Sequence, residues 1–359
     1  MNKAKKPTHK FSPIILVLLL GLVVFVVYVY FYVNPSQVIS ILSRTNLGIY
    51  AGAFVAYFLF ALFSSFVWNR LLQSLSVKIT KRKTLLFIWV GLFFDAAIPQ
   101  LGWSGEASKT YLLAKDSKIA TGKIGASVVG QKIFTMTISI VALSTGLGLL
   151  LLNYDLPPIA TLIIAAILAL SILSLAIIYY VSLKSTALKT LLNWAIKIMS
   201  FFRKQWNPQN FKGKAEEMLN EFHESFWQLT DKPKELVLPI VCAVTGFFFE
   251  ISVVFITFLA LGYPVPIDRV LIVFTLAGTL QTVGVTFFGF TEIVMTSAFT
   301  ALGIQVDVSF AVTLLTRVVN LWFRLIVSYL ALQWAGIKII RQNQKSKQGN
   351  ILIQTTTKL

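Results

Sequence analysis

The 359-residue sequence has one cysteine, two histidines and few charged residues. A lone Cys242 forms neither an intrachain disulfide nor a thiolate metal cluster, and reads as a packing residue in a helix. His9 and His223 lie in different polar segments, so neither a metal centre nor any other cofactor is expected. No Walker loop, GxGxxG or GxSxG pattern occurs, which removes the commonest phosphate-cradling and nucleophile-elbow sites. Charged residues make up 13% of the chain, against about 25% in an average soluble domain. Acidic residues are scarcest, 14 against 32 Lys and Arg, for a net charge of +18. Such an excess suits nucleic acid. Here the bases cluster in the loops of one face of an apolar chain, so the expected partner is the lipid bilayer, with no nucleic acid.

What is abundant is apolar length. Hydrophobic residues reach 56%, in runs near the ~20 residues that a spanning helix needs. The runs are Ser12 to Val33, Leu47 to Trp68, Ile124 to Leu152, Ile159 to Leu183, Leu236 to Leu261 and Val308 to Trp334. They lack the alternation of barrel strands. The expected fold is therefore an all-α polytopic membrane protein with about six full spans, the first an uncleaved N-terminal span. The membrane domain covers residues 11–341, between a basic N-terminus (1–10) and a disordered tail (342–359).

Lys3, Lys5, Lys6 and Lys10 place the N-terminus in the cytoplasm, and Lys338, Arg341, Lys345 and Lys347 place the C-terminus there too. The localisation expected is the cell membrane. Thr84 to Ile98, about 15 residues or ~22 Å of helix, is too short to cross a ~30 Å core. If it crossed, Lys109, Lys115, Lys118, Lys123 and the basic stretch 184–235 would all face outward. A re-entrant hairpin over about 84–123, turning at "IPQLGWSGE", restores the rule. "NPSQVISILSRTN", "NYDLPP" and "LGYPVPID" then become outer loops. A second hairpin over about 269–303, turning at "VGVTFFGFTE", is required by the same parity. The basic stretch 184–235 reads as an interfacial amphipathic helix, then a second helix folded back on it.

The two hairpins align with Glu106 on Glu292. Each is followed by a span with a buried base, Lys132 six residues after Ala126 and Arg317 six after Ala311. Similar segments entering from opposite sides are the pattern of inverted-topology repeats, whose broken helices meet near the midplane and form a site. Pro99, Gly102 and Gly105 break the first helix. Its second half is expected to begin near Ser104, with free N–H groups and a positive dipole end that suits an anion. Gly289 and Thr291 take the corresponding places in the second hairpin.

Ionisable residues inside a membrane face a cavity or a partner. Asp95, Glu106, Glu250 and Glu292 stand against Lys132, Arg317 and Arg324. One reading is structural, with cross-repeat ion pairs such as Glu106 with Arg317. The other is a polar cavity for a lipid headgroup, with Arg as a bidentate phosphate fork, Lys as a point charge and Asn320 on the wall. Gln281 and Asn320 also suit hydrogen bonds between helices. "GIYAG", Gly48 to Gly52, suits close helix packing.

The elbow with its glutamate, the following "GASVVGQK" span and the late "GFTE…LGI…LLTRVVNLW" pattern together resemble the flippase-like membrane region of lysylphosphatidylglycerol synthases. The resemblance covers roughly residues 10–340. The family's proline then Gly-Glu is met at Pro99, Gly105 and Glu106. "VTFFGFTE" keeps Gly289 and Glu292 but lacks the second motif's proline and one of its glycines, and the usual Arg after the first hairpin is Lys132. The resemblance implies translocation of an anionic phospholipid, with lysylated phosphatidylglycerol or polyprenyl-phosphate sugars as the family's associated lipids. The family's aminoacyl-transferase half is absent, so no catalysis is expected. A membrane-embedded glycosyltransferase is the alternative; the missing acidic pair in "NPSQVISILSRTN" counts against it. So is a non-catalytic partner of a lipid-modifying or glycosyltransferase enzyme.

Overall fold

The computed structural model describes residues 13–98, 103–153, 158–202, 209–282 and 289–336, and its regular elements are all helices. Both hairpin elbows, with Pro99 and Gly102, the extreme N-terminus and the expected tail lie outside the described residues. In chain order the helices are α1 (Pro13–Tyr32), α2 (Pro35–Ser43), α3 (Leu47–Ser74), α4 (Lys81–Ala97), α5 (Ser104–Ser117) and α6 (Thr121–Asn153). Then come α7 (Pro158–Leu183), α8 (Ser185–Phe202), α9 (Gln209–Thr230), α10 (Pro233–Ala260), α11 (Ile267–Thr282), α12 (Phe290–Ala301) and α13 (Val306–Arg317). The last continues through a π-helical turn (Val318–Phe323) into a helix ending at Gly336.

Local chemistry sets several of these boundaries. The Asn46 side chain accepts from the Ile49 N–H (3.1 Å) and caps α3. Asn34 caps α2, with Pro35 at the first helical position. The outer loop expected at "NPSQVISILSRTN" therefore contains a helix, bent 87° from α1. Asn34 followed by Pro35 was its sequence signal.

Five described helices are long and apolar enough to cross a membrane, or six if the bent α1–α2 pair counts as one. On α7, Ile159, Leu162, Ile163 and Leu173 are exposed, along a strongly apolar spanning helix. In water this would be an aggregation surface; next to acyl chains it is the solvent-matched one.

The short helices pair off. Lys83 meets Asp116, Gly91 faces Gly105 and Lys109, and Asp95 meets Gly105, so α4 and α5 run antiparallel. Their free ends meet where α3 ends and α6 begins. Arg269 lies beside Gly303, so α11 and α12 have their free ends together as well. These sit at the other end of the bundle, where α10 ends and α3 begins: the Asn46 N–H donates to the Ala260 carbonyl (2.8 Å). α4, at 17 residues, and α12, at 12, are ~25 Å and ~18 Å long.

Apolar packing divides in the same way. One cluster joins α11, α12 and α13 to α10 and the far half of α6. Another joins α4, α5 and the near half of α6 to the end of α3. The amphipathic α9 belongs to the second cluster. It touches α8, but it buries Phe226 and Leu229 with Ile124 and Ala126 of α6. α8 leaves Leu191 and Trp194 exposed between Lys189 and Lys197.

Candidate functional site

Gly105 is where α4 and α5 come closest. A Cβ there would strike the Asp95 carboxylate and the Gly91 carbonyl, so only glycine fits. The approach brings Asp95 Oδ1 to 2.7 Å from the Gly105 N–H and 3.1 Å from the Ser104 hydroxyl. α5 has no side-chain cap from Trp103, the residue before it; Asp95 of the neighbouring helix takes that place. The anion expected at this helix N-terminus is thus the protein's own carboxylate.

Glu106 lies in the first turn of α5, as expected, and pairs with Lys132 of α6 at 3.4 Å. The Lys132 ammonium also sits 5.3 Å from the centre of the Trp103 ring. One turn along, Lys109 is buried, donates to Gln131 Oε1 (3.1 Å) and lies over the Trp68 ring. The sequence places Lys109 with the other lysines of the segment after the elbow; the structure buries it in the interior. Its spacing of three from Glu106, on one helix face, was the available signal. Gln131 and Trp103 were missed in the same way.

The second hairpin repeats the pair. Gly289, at φ +89°, precedes α12, and a Cβ there would strike Phe25 of α1. Thr291 and Glu292 are buried in the first turn. Arg317 Nε of α13 donates to Glu292 Oε1 at 2.7 Å. Below it, Thr296 and Thr313 hydroxyls are 3.4 Å apart. The ion pairs thus form within each hairpin and its following helix. The expected cross-repeat pair of Glu106 with Arg317 is not formed, because each glutamate lies against the helix that directly follows its own hairpin.

Arg324 follows the π-helical stretch that separates it from Arg317. Its guanidinium lies within polar reach of the Tyr57 hydroxyl and within the electrostatic field of Asp95 and Glu250. Tyr57 is buried among Trp89 and Phe323, at ring distances of 6.2 and 6.3 Å. Asn320, expected to bond between helices, leaves its Oδ1 buried with no partner among the described residues. Glu106 Oε2, Glu292 Oε2 and Arg324 Nε are in the same condition. The side chain of Gln281 lies outside the described residues, and Gly52 packs on Ile256 of α10. No group of three metal-ligating side chains occurs among the described residues.

These features define a polytopic helical membrane protein with a charged interior held by short paired helices. Residues 18–328 match the lysylphosphatidylglycerol synthase TM region, and the chain belongs to that family. It is 26% identical over 342 residues to a UPF0104 membrane protein of Methanocaldococcus jannaschii, covering 93% of this chain and 97% of that protein. A UPF0104 membrane protein of Pyrococcus horikoshii is 23% identical over 292 residues, 80% of this chain and 87% of its own. A third, from Methanothermobacter thermautotrophicus, is 21% identical over 311 residues, 86% of this chain and 91% of its own. No solved structure matches the chain.

Proposed function

We propose that this protein translocates an anionic lipid between leaflets, through a polar cavity between two re-entrant hairpins that form an inverted repeat. The observation that carries the reading is the duplicated ion pair. Glu106–Lys132 and Glu292–Arg317 join the first turn of a short second limb to the next helix, and the two hairpins open at opposite ends of the bundle. Short limbs whose tips meet inside a bilayer, carrying charge, are how transporters of this type build a midplane site. Buried carboxylate oxygens without partners call for water or ligand there. Family membership is consistent with a lipid as cargo.

The positive-inside rule sets the first hairpin opening to the cytoplasm, with both termini on that side of the cell membrane. α8, with Trp194 and two lysines, lies on the anionic cytoplasmic leaflet. The protein acts without catalysis of its own, on a lipid supplied by a modifying or glycosyl-transferring enzyme.

The test is translocation in proteoliposomes. Headgroup-labelled phosphatidylglycerol, its lysylated form and a polyprenyl-phosphate sugar are scored for accessibility to a membrane-impermeant reagent. Wild type is expected to equilibrate one of them across the leaflets, and folded Glu106→Gln and Arg317→Gln variants to fail. Rates equal to those of empty liposomes for all three lipids would sink the proposal.

A further inference from the structure

We infer that α1 is the lateral gate of the second hairpin: it swings about Asn34 and opens the seam between α12 and α13 to the surrounding bilayer. The inference rests on the lipid-translocation reading and adds the moving part that lets acyl chains reach the interior.

The two glutamate pairs are closed off differently. The Glu292 side chain is 8% exposed, against 15% for Glu106. Gly105 of the first hairpin is packed by Gly91 and Asp95 of its own hairpin, whereas Gly289 of the second is packed by Phe25 of α1. Phe25 also stacks on Phe310 of α13, at 6.2 Å between ring centres. Three residues on, the Tyr28 hydroxyl is 3.2 Å from that of Ser297 on α12. α1 therefore lies across the seam of the two helices that carry Glu292 and Arg317.

Its inner fastening is built to give. The Phe25 contacts are apolar, and acyl chains replace an apolar contact in a membrane with little loss. A hydrogen bond between two neutral hydroxyls adds only modestly to that. Val23, Val26, Val27 and Tyr30, on the opposite face of α1, are exposed. The helix can thus move outward into lipid without displacing another helix.

The outer end is fixed instead. Pro35 has no N–H to continue the α1 ladder, and it holds Asn34 extended, at φ −95° and ψ 104°. The chain bends 87° there into α2. α2 is pinned: Val38 is buried, and the Asn34 N–H donates to Asp307 Oδ1 of α13 at 2.9 Å. Phe25 stands ~14 Å of helix from this pivot. A small rotation at Asn34 is enough to lift it off Gly289 and the first turn of α12.

The experiment uses the full-length chain with Cys242→Ser. In nanodiscs, spin labels on Val27→Cys and Thr300→Cys read the separation of α1 from α12 by pulsed electron resonance. Two separations are expected, and Phe25→Ala should enlarge the wider population. In proteoliposomes, Phe25→Ala should speed translocation several-fold, which a purely structural contact would not do. Tyr28→Cys with Ser297→Cys, joined by a short bis-methanethiosulfonate, should fall to the rate of empty liposomes and recover when the link is reduced. Each single cysteine treated with the same reagent should keep its rate.

Wild-type translocation in the linked protein would overturn the inference. So would one short separation in both the wild type and Phe25→Ala, a result that stands even if the linked variant does not fold. Two separations in a protein that moves no lipid would instead remove the proposed function and leave α1 as a hinged cover.

Discussion

In the first hairpin the base is a lysine, 3.4 Å from Glu106; in the second it is an arginine, 2.7 Å from Glu292. The surroundings differ more than the pairs. Around Glu106 lie Asp95, the buried Lys109, Gln131 and the field of Arg324. Around Glu292 lie Thr296, Thr313 and the packed rings of Phe25 and Phe310. Arginine meets a carboxylate through a planar fork, whereas lysine meets it as a point charge on a flexible stem. The second pair is therefore a directional clasp in an apolar setting, and the first a point-charge contact inside a polar cluster. The two pairs share a spacing along the chain, and the neighbouring side chains set how each is held.

The sharpest way to break this contrast is to remove each glutamate. Glu292→Ala strands an arginine that cannot discharge, and should lower stability by roughly 3–5 kcal/mol. Glu106→Ala leaves Lys132 its place over the Trp103 ring, and should lower it by about 1–3 kcal/mol. Thermal unfolding in one detergent measures both. Equal losses would show that the two pairs are equivalent and the contrast false.

Next in size is the hairpin contact itself. Gly105→Ala forces a methyl into Asp95 and the Gly91 carbonyl, and should destabilise by about 1–3 kcal/mol through overpacking. Gly148→Ala, where a Cβ meets nothing within 4 Å, should stay within ~0.5 kcal/mol. If both behave alike in the same unfolding experiment, the close approach of α4 and α5 is not structural.

A charge reversal tests whether the first pair is a partnership. Glu106→Lys and Lys132→Glu should each destabilise, and combining them should recover part of the loss, with a coupling of about 0.5–3 kcal/mol. Additive losses would mean that Lys132 is held by Trp103 and the field of its neighbours instead. The smallest effect is expected on α8. Lys189→Gln and Lys197→Gln should each lower the stabilisation given by anionic over zwitterionic nanodiscs by about 1 kcal/mol. No difference between the two lipids would place α8 off the membrane surface.

The spans were legible because apolar length is a one-dimensional property: α3, α6, α7 and α10 fall where uninterrupted hydrophobic runs fall. The start of α5 at Ser104 was legible too, since Gly105 and Glu106 mark a broken helix with a carboxylate in its first turn. So was the spacing from each glutamate to a base, which can be counted along the chain. The partners were not. Glu106 was set against Arg317 by symmetry, yet the antiparallel contact of α5 with α6 brings it to Lys132. Lys109 reads as one of several lysines after the elbow until the packing of α5 on α6 and α3 buries it. Nothing local says that Asp95 caps a helix ten residues ahead, or that Arg324 reaches Tyr57 across 267 positions of chain. Burial and ion pairing depend on which helices pack together, and that selection is made by long-range close approaches such as Gly91 on Gly105. The sequence by itself determined where the long apolar spans fall and which segments carry charge, because both are read along the chain; only the tertiary structure decided which charges pair, because pairing depends on which helices pack together.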